Sequence, residues 1–375
     1  MKSPEVFLLC EYATLNGGER SMLATLDGVR RGGFEPVVMA PSQGPLASAI
    51  ARRGIELVAF ECRGPDGARS SQPRLRERLA ELLRRRRPPL LHANSLAMGR
   101  LSGPVASELG LRSISHLRDI VRLSAQAVAD LNGHTRLLAV SEATRAFHVA
   151  AGLSAQRTHT LYNGVDLDEF RPQAPTGFLH RQLGLPPEAT LIGSIGQLGL
   201  RKGQDLLLGA ASQLADRWPE VHWLVVGRRC SDKEESRRFE RQLHELPKPL
   251  ADRVHFLGVR DDVPQLLREW TLLVHPARQE PLGRVLLEAA ATGLAIVATR
   301  VGGTSEIFPD EQPSALLTPP NDETALASAV STLLADAGRR TALGQAARRR
   351  IESQFDIQTA VAGLLRHYRE VASAE

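Results

Sequence analysis

Short apolar runs alternate with amphipathic stretches along the whole chain. In the first half, runs that read as strands cover 6–10, 36–40, 55–60, 90–93, 112–116 and 136–140. Helical patterns lie between them, over 19–31, 45–53, 74–87, 96–109, 120–131 and 142–151. The second half repeats the alternation. Its strands are expected over 190–196, 222–227, 253–258, 271–275, 295–298 and 315–317, and its helices over 204–217, 232–246, 263–270, 282–292, 322–335 and 339–353. Apolar strands separated by helices of this length imply βαβ units and a parallel sheet covered on both faces. The fold class is α/β, with two Rossmann-like, doubly wound halves.

The chain has 375 residues, more than the roughly 250–300 at which a single core stops growing, which also favours two domains. Asn163-Gly164 marks a turn, and Pro172 and Pro175 stop regular structure. A first domain over 1–168 and a second over 169–354 are therefore expected. The last helical pattern, within 355–375, comes after the second domain is complete and needs a partner surface, for which the first domain is the candidate.

Composition narrows the class. Hydrophobic residues make up 42% and charged residues 24%, as in folded soluble proteins. Aromatics are only 4%, so the cores must be aliphatic. Cys10, Cys62 and Cys230 are too few and too scattered for a disulfide framework or a metal site, which points to a reducing compartment. The apolar run at 6–10 ends at Glu11, too short for a signal-peptide core or a membrane span, so a cytosolic protein is expected. The net charge of +5 suggests anionic partners. No basic stripe interleaved with stacking aromatics accompanies it, so nucleic acid is not expected. The helix carrying Arg74, Arg76, Arg78 and the run Arg84, Arg85, Arg86 and Arg87 is a candidate for contact with an anionic membrane surface. Arginines at a helix C-terminus also simply complement the dipole.

Candidate chemistry sits where strands end. Asn16-Gly17-Gly18-Glu19-Arg20 follows the first strand and opens the first helix, where glycines and helix N–H groups could admit a phosphate. The segment from Gly196 through Gln197 to Arg201, Lys202 and Gly203 holds the same place in the second half. Two cations just before a helix start oppose the dipole, and they make sense if an anion binds there. Pro281 fits the first position of a helix, which leaves the Glu280 carboxylate free just ahead of it. Glu288 stands in an apolar run beyond. On spacing alone, Arg284, Glu288 and Thr292 also form a polar stripe, so a surface ion pair remains an alternative for Glu288.

The stretch Glu280-Pro281-Leu282-Gly283 through Glu288 resembles the signature of glycosyltransferase family 4, retaining enzymes of the GT-B fold. The resemblance spans nearly the whole chain. It takes in Gly17-Gly18-Glu19-Arg20, the "SHLRD" that ends the fifth strand, "VSEATR" after the sixth and "YNGVDLDEF" at the linker. It continues through "RKG", "VGR" from Val226 and "VGGTSEI" from Val301. It implies a glycosyltransferase whose cleft between two Rossmann-like domains takes a nucleotide-diphosphate sugar and a glycan or lipid-linked acceptor. By the same implication Gly17 and Gly18 face the diphosphate, and His116 serves the sugar and acceptor end. Lys202, with Arg201, neutralises the leaving group. Glu280, with Pro281, Leu282 and Gly283 around it, holds the transferred sugar, and Glu288 takes the ribose. No metal or other cofactor is expected, because Lys202 can supply the positive charge. The family has Arg where this chain has Gln197, and Arg201 is the candidate to compensate.

His92, His148, His159, His255 and His275 read as structural. Two alternatives share the fold: a nucleotide-sugar epimerase, and a sugar- or lipid-binding scaffold without strong catalysis, to which the Gln197 departure gives footing. A glycoside hydrolase is disfavoured, since no pair of facing catalytic carboxylates is suggested.

Overall fold

The computed structural model describes residues 3–64 and 67–373. The chain forms two compact units: one takes in the chain up to Gly164 and again from Ile357 onward, the other runs from Val165 to Asp356. The first break falls earlier than residue 168, and its cause is local. Val165 bridges Asp356 and its N–H donates to the Phe355 carbonyl, so the linker is tied to the second unit from its first residue.

The first unit is built on β1 (Glu5–Leu9), β2 (Glu35–Ala40), β3 (Glu56–Ala59), β4 (Leu90–Ala93), β5 (Ser113–Leu117), β6 (Arg136–Ala139) and β7 (Thr158–Thr160). Their order is β3-β2-β1-β4-β5-β6-β7, and every pairing is parallel. The second unit holds β8 (Thr190–Ile195), β9 (Val221–Val226), β10 (Val254–Gly258), β11 (Leu272–His275), β12 (Ala295–Thr299) and β13 (Leu316–Thr318), ordered β10-β9-β8-β11-β12-β13 and again all parallel.

Period-two geometry explains the uninterrupted apolar runs. Along β1, Phe7 and Leu9 join Leu75, Leu79 and Met98 in one core. On the opposite face Val6 joins Val29 and Leu90, and Leu8 joins Met22 and Leu26. Helices cover both faces, so neither set of side chains can be polar. The helix Ile357–Ser373 lays Val361, Leu364, Leu365, Tyr368 and Val371 on Val6, Val29, Phe34 and Leu90 of the first unit. Its approach to the first helix, Gly17–Arg31, depends on two glycines. A Cβ on Gly28 would lie 2.7 Å from Val361 Cγ1, and one on Gly32 would lie 2.3 Å from Leu365 Cδ1.

Several elements differ from the sequence reading. The helix expected from 120 runs from Ala125 to Asn132, because the Ser124 side chain caps it by accepting the Ala127 N–H. The three-residue edge strand β7 and the helices Phe178–Leu183, Lys248–Ala251 and Thr304–Ile307 carry too little periodicity to be read. The helix expected over 282–292 starts at Arg284, so Pro281 is not its first residue. Gly283, at φ +99°, turns the chain into the helix instead.

The arginine-rich helix, Gln72–Arg86, spends most of its charge within the fold. Arg76 pairs with Asp130, Arg84 with Glu108, Arg85 with Glu81 and Arg86 with Glu56, while Arg78 donates to the Glu61 carbonyl. No helix among the described residues is long and apolar enough to cross a membrane. Cys10, Cys62 and Cys230 are free thiols, the first two buried.

His134 is a histidine of the fold. Its Nε2–H donates to the Gly99 carbonyl at 2.9 Å, and its Nδ1 meets the Ser113 hydroxyl at 3.0 Å. Burial pushes its pKa down to about 4. Below its ordinary pKa of about 6.5, the unfolded chain binds a proton that the folded one refuses, so stability rises with pH there. The contribution is full above about pH 6.5 and is lost as pH falls toward 4. His134→Gln keeps a buried polar side chain and removes the titration. Its unfolding free energy should therefore fall less between pH 7 and pH 4.5 than that of the unchanged protein, by up to about 1.4 kcal/mol per pH unit, and its melting temperature should fall less with it. Parallel melting curves across that range would show that His134 does not titrate on unfolding.

Candidate functional site

Right-handed crossovers send the helices after neighbouring strands to opposite faces wherever the strand order reverses, and a crevice opens at the strands' carboxyl ends. In the first unit the reversal lies between β1 and β4, in the second between β8 and β11. Each unit gathers its polar residues there.

In the first unit, Gly17 and Gly18 open the first helix after Asn16, whose N–H donates to the Glu19 carboxylate at 3.2 Å. Asn94, at the end of β4, donates from Nδ2 to the Gly18 carbonyl at 3.2 Å, joining the two sides of the crevice. Arg118, just past β5, is locked by acceptors. Its Nε donates to the Asn94 carbonyl, Nη2 to Asn94 Oδ1 and Nη1 to Asn163 Oδ1, at 2.9–3.0 Å. The ring of His116 lies beside it, with Nδ1 3.3 Å from Arg118 Nη2 and 3.1 Å from His92 Nε2. Burial, with the Arg118 charge behind it, pushes His116 well below the ordinary histidine range. It drives His92 down to about 3. Both rings are neutral at pH 7. They line a cavity of about 20 Å³ with Asn94, Arg118 and Asn163, room for about one water.

In the second unit, Gln197 lies exposed in the loop after β8, and Arg201 and Lys202 lie on a 3₁₀ turn, Leu200–Lys202. The helix Gln204–Leu214 follows. Gly203 makes this possible: it sits at φ +70°, and a Cβ there would lie 2.0 Å from the Pro276 carbonyl oxygen, against which the loop is pressed. Two side chains strap the loop. Gln204 accepts the Gly199 N–H and donates to the Gln197 carbonyl. Arg278 donates from its backbone to the Arg201 carbonyl and from Nη1 to the Leu200 carbonyl, both at 2.8 Å, while its guanidinium grips Asp205 with two bonds.

The straps hold Lys202 against Glu280. Lys202 Nζ is 2.5 Å from Glu280 Oε2, and His275 Nε2 reaches the same oxygen at 2.8 Å. Burial alone would raise the Glu280 pKa. The Lys202 charge and the His275 hydrogen bond more than reverse that and hold the carboxyl well below the ordinary range. Burial keeps His275 neutral, so its contact is a hydrogen bond donated to a carboxylate. Both contacts end on Oε2, and Oε1 makes no hydrogen bond among the described residues. The Glu280 carbonyl is fixed by the Gly303 N–H at 3.0 Å. Pro281, Leu282 and Gly283 form a buried loop to the next helix. On that helix Glu288 is buried and pairs with Arg284, Nε to Oε1, at 2.5 Å.

The structure thus joins Lys202 to Glu280, and His116 to Arg118. His275 and His92, which read as structural in the sequence, touch Glu280 and His116. Arg118 stands inside "SHLRD", but nothing in the sequence alone gives it a task. Among the described residues, no three His, Cys, Asp or Glu side chains converge as a metal cage.

Two family models match the chain: Glycosyltransferase Family 4 over residues 15–169 and Glycosyl transferases group 1 over residues 176–350. The D-inositol 3-phosphate glycosyltransferase of Salinispora arenicola is 34% identical over 229 residues, 58% of this chain and 50% of that protein. The lipopolysaccharide core biosynthesis mannosyltransferase LpsB of Rhizobium meliloti is 31% identical over 56% of this chain and 59% of its own length. The chain thus spans roughly half the length of such curated relatives. Among solved structures, Anabaena HepE in complex with UDP and glucose superposes with a TM-score of 0.84 at 23% identity, covering 97% of this chain and 99% of that one. That likeness is one of fold.

A buried ion pair loses most when only one partner is removed, because the other charge is left without compensation. Lys202→Met should therefore destabilise the protein by about 3 kcal/mol, with Glu280→Gln added on top costing much less than its own single effect. Urea denaturation of both singles and the double measures this. Additive effects would show that the two charges do not depend on each other.

Proposed function

We propose that this chain, which belongs to the group 1 glycosyltransferases, moves a sugar from a nucleotide-diphosphate donor to an acceptor hydroxyl with retention at the anomeric carbon. The observation that carries the reading is the Lys202–Glu280–His275 cluster: a buried, ionised carboxylate with one oxygen occupied and the other open. Leaving Oε1 for a sugar hydroxyl fits a group that must hold the transferred sugar as positive charge grows on it. UDP and glucose in Anabaena HepE support a nucleotide-sugar donor.

The reaction breaks the bond between the anomeric carbon and the diphosphate oxygen. The acceptor oxygen forms the new bond, and its proton passes to the departing diphosphate oxygen. Negative charge develops on the departing diphosphate, and the second unit offers it Lys202, Arg201 and the positive end of the helix Gln204–Leu214. Lys202 has three donors, so it can turn toward a phosphate while remaining beside Glu280. Glu288 is read as the ribose contact, and its bond to Arg284 occupies only Oε1. In the first unit, Gly17, Gly18 and His116 are read as serving the diphosphate and the acceptor end. The acceptor is read as a glycan or lipid-linked glycan, in keeping with the lipopolysaccharide core named for LpsB. An anionic membrane surface forms no part of the proposal, because most arginines of the helix Gln72–Arg86 are already paired.

Hydrolysis of UDP-, GDP- and ADP-sugars tests the donor class directly, and turnover of none of them would overturn the proposal. Because Lys202 and Arg201 supply the positive charge, activity is expected to survive excess EDTA. Full loss restored by Mg²⁺ or Mn²⁺ would assign that charge to a metal.

The glutamates should separate kinetically. Glu280→Gln should lower kcat with little change in donor KM, since its contact strengthens in the transition state. Glu288→Gln should raise donor KM with kcat nearly unchanged. A Glu288→Gln enzyme unchanged in both parameters makes Glu288 a helix ion-pair residue only.

A further inference from the structure

We propose that Tyr368 and His92, together with Arg118, fix His116 in the tautomer that carries its proton on Nε2, so that His116 acts as a hydrogen-bond donor and not as a base. Tyr368 and His92 are positioning residues that act through His116. The inference concerns the chemistry of the His116 site and rests on the transferase reading only for its catalytic meaning.

The argument runs along three hydrogen bonds. Arg118 has only donors, and its Nη2 meets His116 Nδ1 at 3.3 Å. Its other two nitrogens are held by Asn94 and Asn163, so it cannot turn away. At that length the contact favours Nδ1 as the acceptor without alone securing it, and the two groups beyond it complete the bias. His92 Nε2 lies 3.1 Å from the same Nδ1, where a bare nitrogen would set lone pair against lone pair, so it carries the His92 proton and shares the single Nδ1 lone pair with Arg118. A neutral imidazole has one N–H, so His92 Nδ1 is bare and accepts from the Tyr368 hydroxyl at 2.6 Å. Burial supports each step, since it keeps both rings neutral and the phenol protonated. The opposite arrangement would set a His116 Nδ1–H against the Arg118 N–H.

The chain of donors ends at His116 Nε2, a buried nitrogen with no hydrogen-bond partner among the described residues. The ring lines the cavity together with Asn94, Arg118 and Asn163. An N–H fixed at that point can donate to a hydroxyl or phosphate oxygen of a ligand without reorganising. It cannot remove a proton from an acceptor hydroxyl, because its nitrogen is already protonated. Tyr368 is contributed by the final helix of the chain, which gives that helix a task at the site beyond covering the sheet.

Side-chain nitrogen–proton correlation spectra of protein labelled with ¹⁵N-histidine read the tautomers, with His92→Gln and His116→Gln assigning the signals. His92 and His116 should each show one protonated nitrogen, Nε2. A proton on His116 Nδ1, or a mixture of tautomers at either ring, would overturn the proposal. Tyr368→Phe keeps the buried ring and removes only the hydroxyl. It should move His92, and His116 with it, toward mixed tautomers, and slow transfer by about 5-fold, the worth of one hydrogen bond. A Tyr368→Phe protein that melts earlier but leaves both tautomers fixed makes Tyr368 a packing residue and refutes its positioning role. The spectra need no substrate. A protein that transfers no sugar yet shows both fixed tautomers would sink the proposed function and leave this inference standing.

Discussion

Reversal of strand order in a parallel sheet is the constraint on which both sites rest. Successive strands added in one direction place their helices on one face, and reversal places the next helix on the other. At β1/β4 and at β8/β11 the helices that follow the strands go to opposite faces, which opens the crevice at the strands' carboxyl ends. A side-chain contact crosses each reversal. Asn94 reaches the Gly18 carbonyl in the first unit, and Lys202 reaches Glu280 in the second. The fold supplies the opening, and a few side chains decide what it can hold.

The units treat charge differently. The first holds a half-buried cation, Arg118, among neutral acceptors and two imidazoles whose protonation is suppressed by burial and then by its charge. The second holds an ion pair, Lys202 with Glu280, whose desolvation is offset by mutual attraction and by the His275 hydrogen bond. A donor-rich pocket of nearly fixed protonation suits recognition of oxygen atoms. A cation that can be shared between a carboxylate and an incoming anion suits a step in which charge separates.

Much of this was legible in the sequence. Strands such as β1 and β11, buried on both faces, give unbroken apolar runs that only a covered parallel sheet explains. The site loops were legible through glycines and paired charges at strand ends. What failed to show did so for physical reasons. Pro281 satisfies the rule for a helix start, yet Gly283 reaches a backbone conformation that lets the chain turn two residues later. The strand β7 has three residues, of which Thr158 alone is buried, so no period can form. His92 and His275 sit in strands among apolar neighbours, where a satisfied core histidine and a site histidine look the same. Tyr368 is more than two hundred residues from His92, and no local pattern connects them.

An unpaired buried atom does not by itself mark a site. Ser115 Oγ, His148 Nδ1 and His367 Nε2 are also buried without partners among the described residues. His116 Nε2 differs because the groups that meet the ring's other nitrogen, His92 and Arg118, are themselves held by further hydrogen bonds, and because the ring lies beside a reversal of strand order. The same test selects Glu280 Oε1, the open end of a carboxylate whose other oxygen is held twice. In both places the protein has spent its own donors and acceptors on orienting one atom and left that atom unspent. Groups oriented in advance do not have to reorganise when charge develops, which is the condition under which a hydrogen bond contributes most to a transition state. The straps on the Lys202 turn, Gln204 and Arg278, extend the same logic one layer outward. They touch backbone carbonyls, so they fix where the cation stands without competing for its charge.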